Sequence, residues 1–193
     1  MEVIIHFGFE LLKICILACI YSTLVLLIIL LIKKVWKNNI INRITENKKR
    51  LWFTSWSFIS VGLLIYMFTY WGSHGLGDGP RIPIGHGLIV DNTNWTEYGY
   101  VNEIKTIDTF HIEMTKFKVI ENNLMGNLES DFYDYKNAYF IYHFDTKELT
   151  EFQSQKDFDV FLFKNNLPTS NQLRTFEQNY HDYWGGWRFW LLP

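Results

Sequence analysis

Two long stretches without a charged residue dominate the first part of the chain. Residues 14–32 contain no charge, proline or glycine over 19 positions, and residues 51–71 are uncharged over 21 positions. As helices these stretches would span roughly 28 and 31 Å, about the thickness of a bilayer's hydrocarbon core. Helices of soluble proteins rarely extend so far without a polar face. The pattern predicts a two-helix transmembrane hairpin, with helices at about residues 9–32 and 51–71.

The connector between these stretches, residues 33–50, is strongly basic. It carries seven of the chain's 18 lysines and arginines and a single acid, Glu46. The basic residues are Lys33, Lys34, Lys37, Arg43, Lys48, Lys49 and Arg50. Short basic loops stay on the cytoplasmic side of a membrane, so we expect a multi-pass protein of the cell inner membrane. The N-terminus and the residues after Trp71 would then lie outside the cytoplasm.

Two alternatives for this region follow from the same residues. A cleaved signal peptide has its positive charge before the apolar stretch, whereas here the basic cluster follows it. Ile40, Ile41 and Ile44 alternate with the charges of the connector, which would suit a short amphipathic helix on anionic lipid. Anchoring of the orientation by the charges is the simpler interpretation.

From Gly72 onward the composition is that of an ordinary folded domain. We therefore expect a membrane part at residues 1–71 and an extramembrane domain at residues 72–193. The second part has 17 acids and ten bases, a formal charge of −7, which argues against direct contact with nucleic acid. Both cysteines, Cys15 and Cys19, lie in the first apolar stretch, so no disulfide framework is expected.

Periodicity in the extramembrane part predicts strands first and helices last. Residues 109–121 alternate as one long strand, and residues 137–144 and 149–153 flank a predicted four-residue hairpin turn. The apolar spacing then becomes helical, and Thr169 or Ser170 is a candidate cap for the last helix. This order predicts a small α+β domain.

A glycine-rich segment, residues 72–87, holds half of the chain's 12 glycines. We expect it to form tight turns that lead from the bilayer into the domain. The segment lacks the Lys-Ser/Thr pair and the strand-to-helix context of a phosphate loop. His74, Asp78 and His86 have metal-ligand chemistry but no recognised spacing for a metal site. We therefore expect no cofactor and no metal.

One pair of residues is compatible with catalysis. Arg174 and His181 are seven residues apart, which would give them a common helical face. The pair resembles the Arg-x4-6-His motif of a family of helical ribonucleases, although Thr175 follows the arginine here. A surface arginine and a partly packed histidine explain the same residues. We expect a protein that is not an enzyme, and a divergent ribonuclease using Arg174 and His181 is an alternative.

The C-terminal residues 180–193 are rich in aromatic side chains. Such a run at a chain end usually closes a core, which we expect of Trp184 and Trp187. Tryptophan and arginine also act as interface anchors, so Trp187, Arg188 and Trp190 are candidate contacts with a partner or with the membrane surface.

The paired apolar stretches, in a chain rich in asparagine, lysine, isoleucine and aromatic residues, resemble proteins of AT-rich Bacteroidota. The chain is similar to the small membrane-spanning accessory proteins of type VI-B CRISPR loci. This resemblance implies a non-enzymatic modulator of an RNA-guided antiviral effector, which would act by protein-protein contact in the lipid bilayer. A membrane-anchored immunity protein that neutralises a toxin outside the cytoplasm is the alternative. Both interpretations are compatible with a homo-oligomer.

Overall fold

A computed structural model describes residues 2–36, 39–105, 111–128 and 136–193. The chain forms two compact units, one from Met1–Ser73 with Gly186–Pro193, the other from His74–Gly185. The helices of the described residues are α1 Glu2–Val35, α2 Asn39–Thr45, α3 Lys48–Met67, α4 Gln155–Lys164, α5 Phe176–Trp184 and α6 Trp187–Leu191, with a 3-10 turn at Ser170–Gln172. The strands are β1 Arg81–Gly85, β2 Leu88–Asp91, β3 Gly99–Val101, β4 Ile112–Met114, β5 Lys116–Ile120, β6 Asn123–Asn127, β7 Tyr139–His143, β8 Glu148–Phe152 and β9 Arg174–Thr175.

The first predicted membrane helix is present and longer than expected. α1 begins at Glu2 and not near residue 9, and it continues to Val35. It is long and apolar enough to cross a membrane, and only 22 % of its most apolar stretch is buried. The core helix of a soluble protein would be mostly buried. Many of its large apolar side chains are exposed.

The second predicted crossing is not confirmed. Within the described ranges α1 alone is long and apolar enough to be a candidate span. α3 begins inside the connector, because the Asn47 side chain accepts a hydrogen bond from the Arg50 backbone N–H and caps the helix. It ends at Met67, before Trp71. Three basic residues and several hydroxyl side chains lower its apolar character.

The unit His74–Gly185 contains two antiparallel sheets. The four-stranded sheet has the order β1-β2-β3-β4, and the five-stranded sheet has the order β8-β7-β6-β5-β9. β7 is buried on both faces: Phe140 and Tyr142 join the main core, while Ile141 packs in a second cluster with Phe158 and Leu162 of α4. This alternation follows from the two-residue period of a strand. The unit is therefore an α+β fold.

Several predicted elements of this unit differ from those observed. The hairpin at residues 137–153 is confirmed as β7 and β8. The predicted strand 109–121 is instead divided at Thr115 into β4, which pairs with β3, and β5, which pairs with β6. Residues 109 and 110 of that prediction lie outside the described residues. The division places the two halves of one alternating pattern in different sheets.

Two further corrections concern the ends of this unit. The second half of the glycine-rich segment is β1, which pairs with β2, and does not consist of turns alone. The last long helix, α5, is capped by Thr175 in a capping box with Gln178, and not by Thr169 or Ser170. Strands β1–β8 precede α4 as predicted, and the two-residue β9, which follows α4, departs from the order of strands first and helices last.

Gly126 on β6 occupies a position without space for a side chain. A Cβ atom there would lie 2.8 Å from the Lys116 carbonyl oxygen and 2.9 Å from Cε1 of Phe140. We expect Gly126→Ala to lower the free energy of unfolding by about 1–3 kcal/mol, because backbone and core must shift. Unfolding in urea, monitored by proteolysis, measures this change in the free energy of unfolding. Gly79→Ala is the control, since its Cβ would meet its nearest atom at 3.9 Å; equal losses at both positions would contradict the packing argument.

Candidate functional site

The basic residues of the connector gather at helix ends. Lys33 and Lys34 lie in the last turn of α1, Arg43 lies in the last turn of α2, and Lys48, Lys49 and Arg50 begin α3. Lys37 lies outside the described residues. Positive charge at a helix N-terminus opposes the helix dipole, so the bases at the start of α3 do not serve helix stability. Their position is compatible with the predicted role of a topology anchor.

The connector is also folded back by a specific contact. Nζ of Lys33 donates to Oγ1 of Thr45 at 2.9 Å, and Thr45 is buried. The Thr45 hydroxyl in turn donates to carbonyls one turn earlier in α2. α2 includes Ile40 and Ile44, both exposed, next to Arg43. A short helix is thus present in the connector as α2, and its contact with anionic lipid stays a prediction.

α1 and α3 pack side by side in antiparallel directions. Nε1 of Trp52 donates to Oγ1 of Thr23 at 3.1 Å, and the rings of Phe7 and Phe68 are 6.4 Å apart. Both contacts indicate the same register along the pair. In that register the centres of the two predicted apolar stretches are offset by about nine residues, roughly 13 Å along the helix axes. The ends of the two stretches therefore lie at different levels of the hairpin.

The aromatic tail has one buried and two exposed tryptophans. Trp184 is 8 % exposed, which confirms its predicted burial, and its indole N–H donates to the Arg81 carbonyl at 2.6 Å. Trp187 is 61 % exposed, so its prediction as a core residue is wrong. Trp190 is 72 % exposed. The chain leaves the helical conformation at Gly185 and Gly186, with Gly186 at a φ of 62°, and α6 begins at Trp187.

The candidate metal ligands of the glycine-rich segment do not converge within the described part of the unit His74–Gly185. The His74 ring packs edge-on against Trp184 with centroids 5.6 Å apart. His86 stacks on Phe144 at 4.8 Å, and its Nδ1 is 3.8 Å from the Asp145 carboxylate. The Asp78 carbonyl accepts the Asn94 backbone N–H. Each residue has a local packing or turn role.

The candidate catalytic pair is not on one helix. Arg174 lies in β9, before the Thr175 cap, and its guanidinium pairs with the Asp182 carboxylate. His181 lies on α5, exposed, with Nε2 3.8 Å from the Glu177 carboxylate. The prediction of a common helical face is wrong because α5 begins at Phe176.

A cleft at the β5–β9 edge of the unit His74–Gly185 brings several basic side chains together. It has a volume of about 670 Å³ and is mostly polar. We call it the cationic cleft, and its lining residues are Lys116, Lys118, Asn171, Gln172, Leu173, Arg174, Thr175 and Gln178. Three of these residues are basic and none is acidic, although the chain after Trp71 has a formal charge of −7.

The three bases of the cationic cleft are in different electrostatic settings. Arg174 is partly neutralised by its pair with Asp182. Lys118 donates from Nζ to Oε1 of Gln172 at 2.8 Å, and Lys116 is exposed. Neither lysine has an ion pair among residues 2–36, 39–105, 111–128 and 136–193. Both positive charges therefore remain available to a ligand.

The edge of β5 beside the cleft is only partly covered. β9 pairs with Lys116 and Phe117 and with no further residue of β5. The Phe117 carbonyl points to the β9 side, where it accepts from Nδ2 of Asn179 at 3.0 Å. Alternate residues of an antiparallel strand direct both backbone groups to the same neighbour, so Val119 directs its N–H and C=O to this side as well. Among the described strands, none pairs with Val119 on that side.

Sequence reasoning missed the cationic cleft. One signal was present, because Lys116 and Lys118 are two residues apart in a predicted strand and so share a face. The approach of Arg174 and Gln172 to that face depends on strand pairing across more than fifty residues, which periodicity does not report.

Burial raises the pKa of one acidic side chain, Asp91, which lies near the contact between Trp184 and Arg81. Asp91 pairs with Arg81 across β1 and β2, with an N–O distance of 2.9 Å. Desolvation raises the pKa of the Asp91 carboxyl, and the Arg81 charge opposes that rise. The pair joins the two strands at the residue whose carbonyl binds Trp184.

Comparison with protein-family models, with curated proteins and with solved structures finds no match to this chain.

Proposed function

We propose that this chain is a membrane-anchored binding protein, whose extramembrane domain holds an extended, acidic segment of a partner protein in the cationic cleft. The observation that carries the proposal is a cleft whose described lining residues include three bases and no acid, in an otherwise acidic domain. Charges farther apart than about 8 Å are largely screened at physiological ionic strength. The local bases therefore outweigh the net charge of the domain for a bound segment.

The open edge of β5 favours an extended ligand. A peptide that adds to a sheet edge gains main-chain hydrogen bonds, and alternate side chains give specificity. Val119 offers such backbone groups beyond the end of its pairing with β9. Lysines on an edge strand discourage uncontrolled pairing with other chains. Lys116 and Lys118 would at the same time attract a strand with acids at alternate positions.

We propose membrane attachment through both α1 and α3, which would make this a multi-pass protein of the inner membrane. The antiparallel contact supports a second crossing, because α3 lies along α1 from Thr23 to Phe7 and would cross beside that part of α1, with the two apolar stretches offset along the pair. The basic helix ends would then mark the cytoplasmic side, and the His74–Gly185 unit would face away from the cytoplasm.

Two biological roles of this binding activity are proposals. The protein modulates an RNA-guided antiviral effector, or it neutralises a toxin outside the cytoplasm. An extracytoplasmic cleft favours the second role, because a cytoplasmic effector would reach only the connector. The ribonuclease alternative has weaker support, since Arg174 and His181 each lie beside a carboxylate.

The cleft is tested with a fluorescein-labelled peptide that alternates threonine and glutamate. Binding to the purified protein in nanodiscs is measured by fluorescence anisotropy. We expect the double substitution Lys116→Glu and Lys118→Glu to weaken binding by at least about tenfold, because two charge-assisted contacts are lost. A peptide with lysine in place of glutamate should not bind.

The matched control is Lys156→Glu with Lys164→Glu, which makes the same charge change on exposed positions of α4. Equal loss in both double variants would mean that net charge and not the cleft determines binding, and would refute the proposal. A single-stranded RNA that binds more tightly than the acidic peptide, with the same dependence on Lys116 and Lys118, would refute it in favour of nucleic acid.

A further inference from the structure

We infer that α6 is an interfacial lipid anchor, which lies against α1 and holds the C-terminal end of the chain at the surface of the bilayer. The inference goes beyond partner binding and rests on the proposed membrane crossing of α1. In this role α6 binds lipids at the boundary between their headgroups and their acyl chains.

Two contacts join α6 to α1 within the same compact unit. The Tyr21 hydroxyl donates to the Leu191 carbonyl at 2.5 Å. Nζ of Lys13 lies 5.0 Å from the centroid of the Phe189 ring, a cation-π contact. Lys13 and Tyr21 are about two helical turns apart on one side of α1. A helix held there must share the surroundings of that part of α1.

The side chains of α6 are apolar and mostly uncovered. Trp187, Phe189, Trp190 and Leu191 are 61, 56, 72 and 48 % exposed. The neighbouring surface of α1 also exposes apolar side chains, including Ile16 and Ile20. Exposed apolar side chains thus lie on α6 and on the part of α1 that it contacts. Water would be an unfavourable environment for these exposed side chains.

The chemistry of the helix indicates the interface and not the centre of the bilayer. Indole rings favour the headgroup level, where the ring is buried and the N–H stays hydrated. The Arg188 guanidinium lies 5.2 Å from the Trp187 ring, and with Lys13 it offers positive charge to anionic headgroups. Lys13 also immediately precedes the apolar stretch that begins at residue 14. In this arrangement Lys13 and Arg188 would face the headgroups.

The test uses tryptophan quenching by brominated lipids. The protein is placed in nanodiscs whose lipids carry bromine at a shallow or a deep acyl position. We expect the double substitution Trp187→Phe and Trp190→Phe to remove part of the tryptophan emission. Bromine at the shallow position should quench this part more strongly than bromine at the deep position. Trp184→Phe is the control, and it should remove emission that neither lipid quenches, because Trp184 is buried in protein.

Two results would overturn the inference. If the emission lost in the double variant is not quenched by either lipid, α6 does not contact the bilayer. If Trp190→Cys, in a background with Cys15→Ala and Cys19→Ala, cross-links two chains while quenching is unchanged by the double variant, a second copy covers α6. Alkaline carbonate extraction separates these results from failure of the proposed function, because it reports whether the protein is membrane-integrated at all.

Discussion

Trp184→Ala is expected to lower the free energy of unfolding of the His74–Gly185 unit by about 3–5 kcal/mol. The indole is 8 % exposed, packs against the rings of His74, Tyr180 and Tyr183, and donates a hydrogen bond to the Arg81 carbonyl. Its removal would leave a cavity and an unpaired carbonyl. Domains of this size have only about 5–15 kcal/mol of stability, so the effect would be severe.

Pulse proteolysis in urea, on protein in nanodiscs, measures this loss as a lower unfolding midpoint. Trp184→Phe should lose less than Trp184→Ala, since it retains most of the ring contacts and loses the hydrogen bond. Trp187→Ala is the matched control and should change the free energy by no more than about 0.5 kcal/mol, because Trp187 is exposed. Unchanged resistance of Trp184→Ala would show that α5 does not depend on this contact.

We expect alkaline phosphatase fused to the C-terminus to be active. Green fluorescent protein fused at the same position should not fluoresce. This result follows if α1 and α3 both cross the membrane and the basic helix ends remain in the cytoplasm. The same reporters inserted into the connector between α2 and α3 should give the opposite result. The difference in each reporter's signal should be close to all or none, because each works on one side of the membrane.

A fluorescent C-terminal fusion with inactive phosphatase would contradict the two-pass topology. In that case α1 crosses alone, and the His74–Gly185 unit and the cationic cleft face the cytoplasm. That outcome would favour the effector-modulator role over the toxin-neutralising role. The predicted binding of an acidic peptide would be unaffected, because the cleft is built within one unit.

The sequence by itself determined those features that depend on local patterns. The apolar length of α1 follows from an uninterrupted run of side chains, since an α-helix satisfies its own backbone groups. The β7–β8 hairpin and α4 follow from alternation and helical spacing within short segments. Burial of Trp184 was also predicted, because large aromatic side chains near the end of an apolar helical stripe usually face a core.

Tertiary structure alone decided the features that depend on distant partners. The break at Thr115 arises because β4 finds its neighbour in β3, and β5 finds its neighbour in β6. Arg174 is in a strand and not in a helix, because β9 pairs with β5. The cationic cleft and the contact of α6 with α1 join residues far apart in the chain. Local periodicity carries no information about which distant residue fills the other side of a contact, so these features required the folded chain.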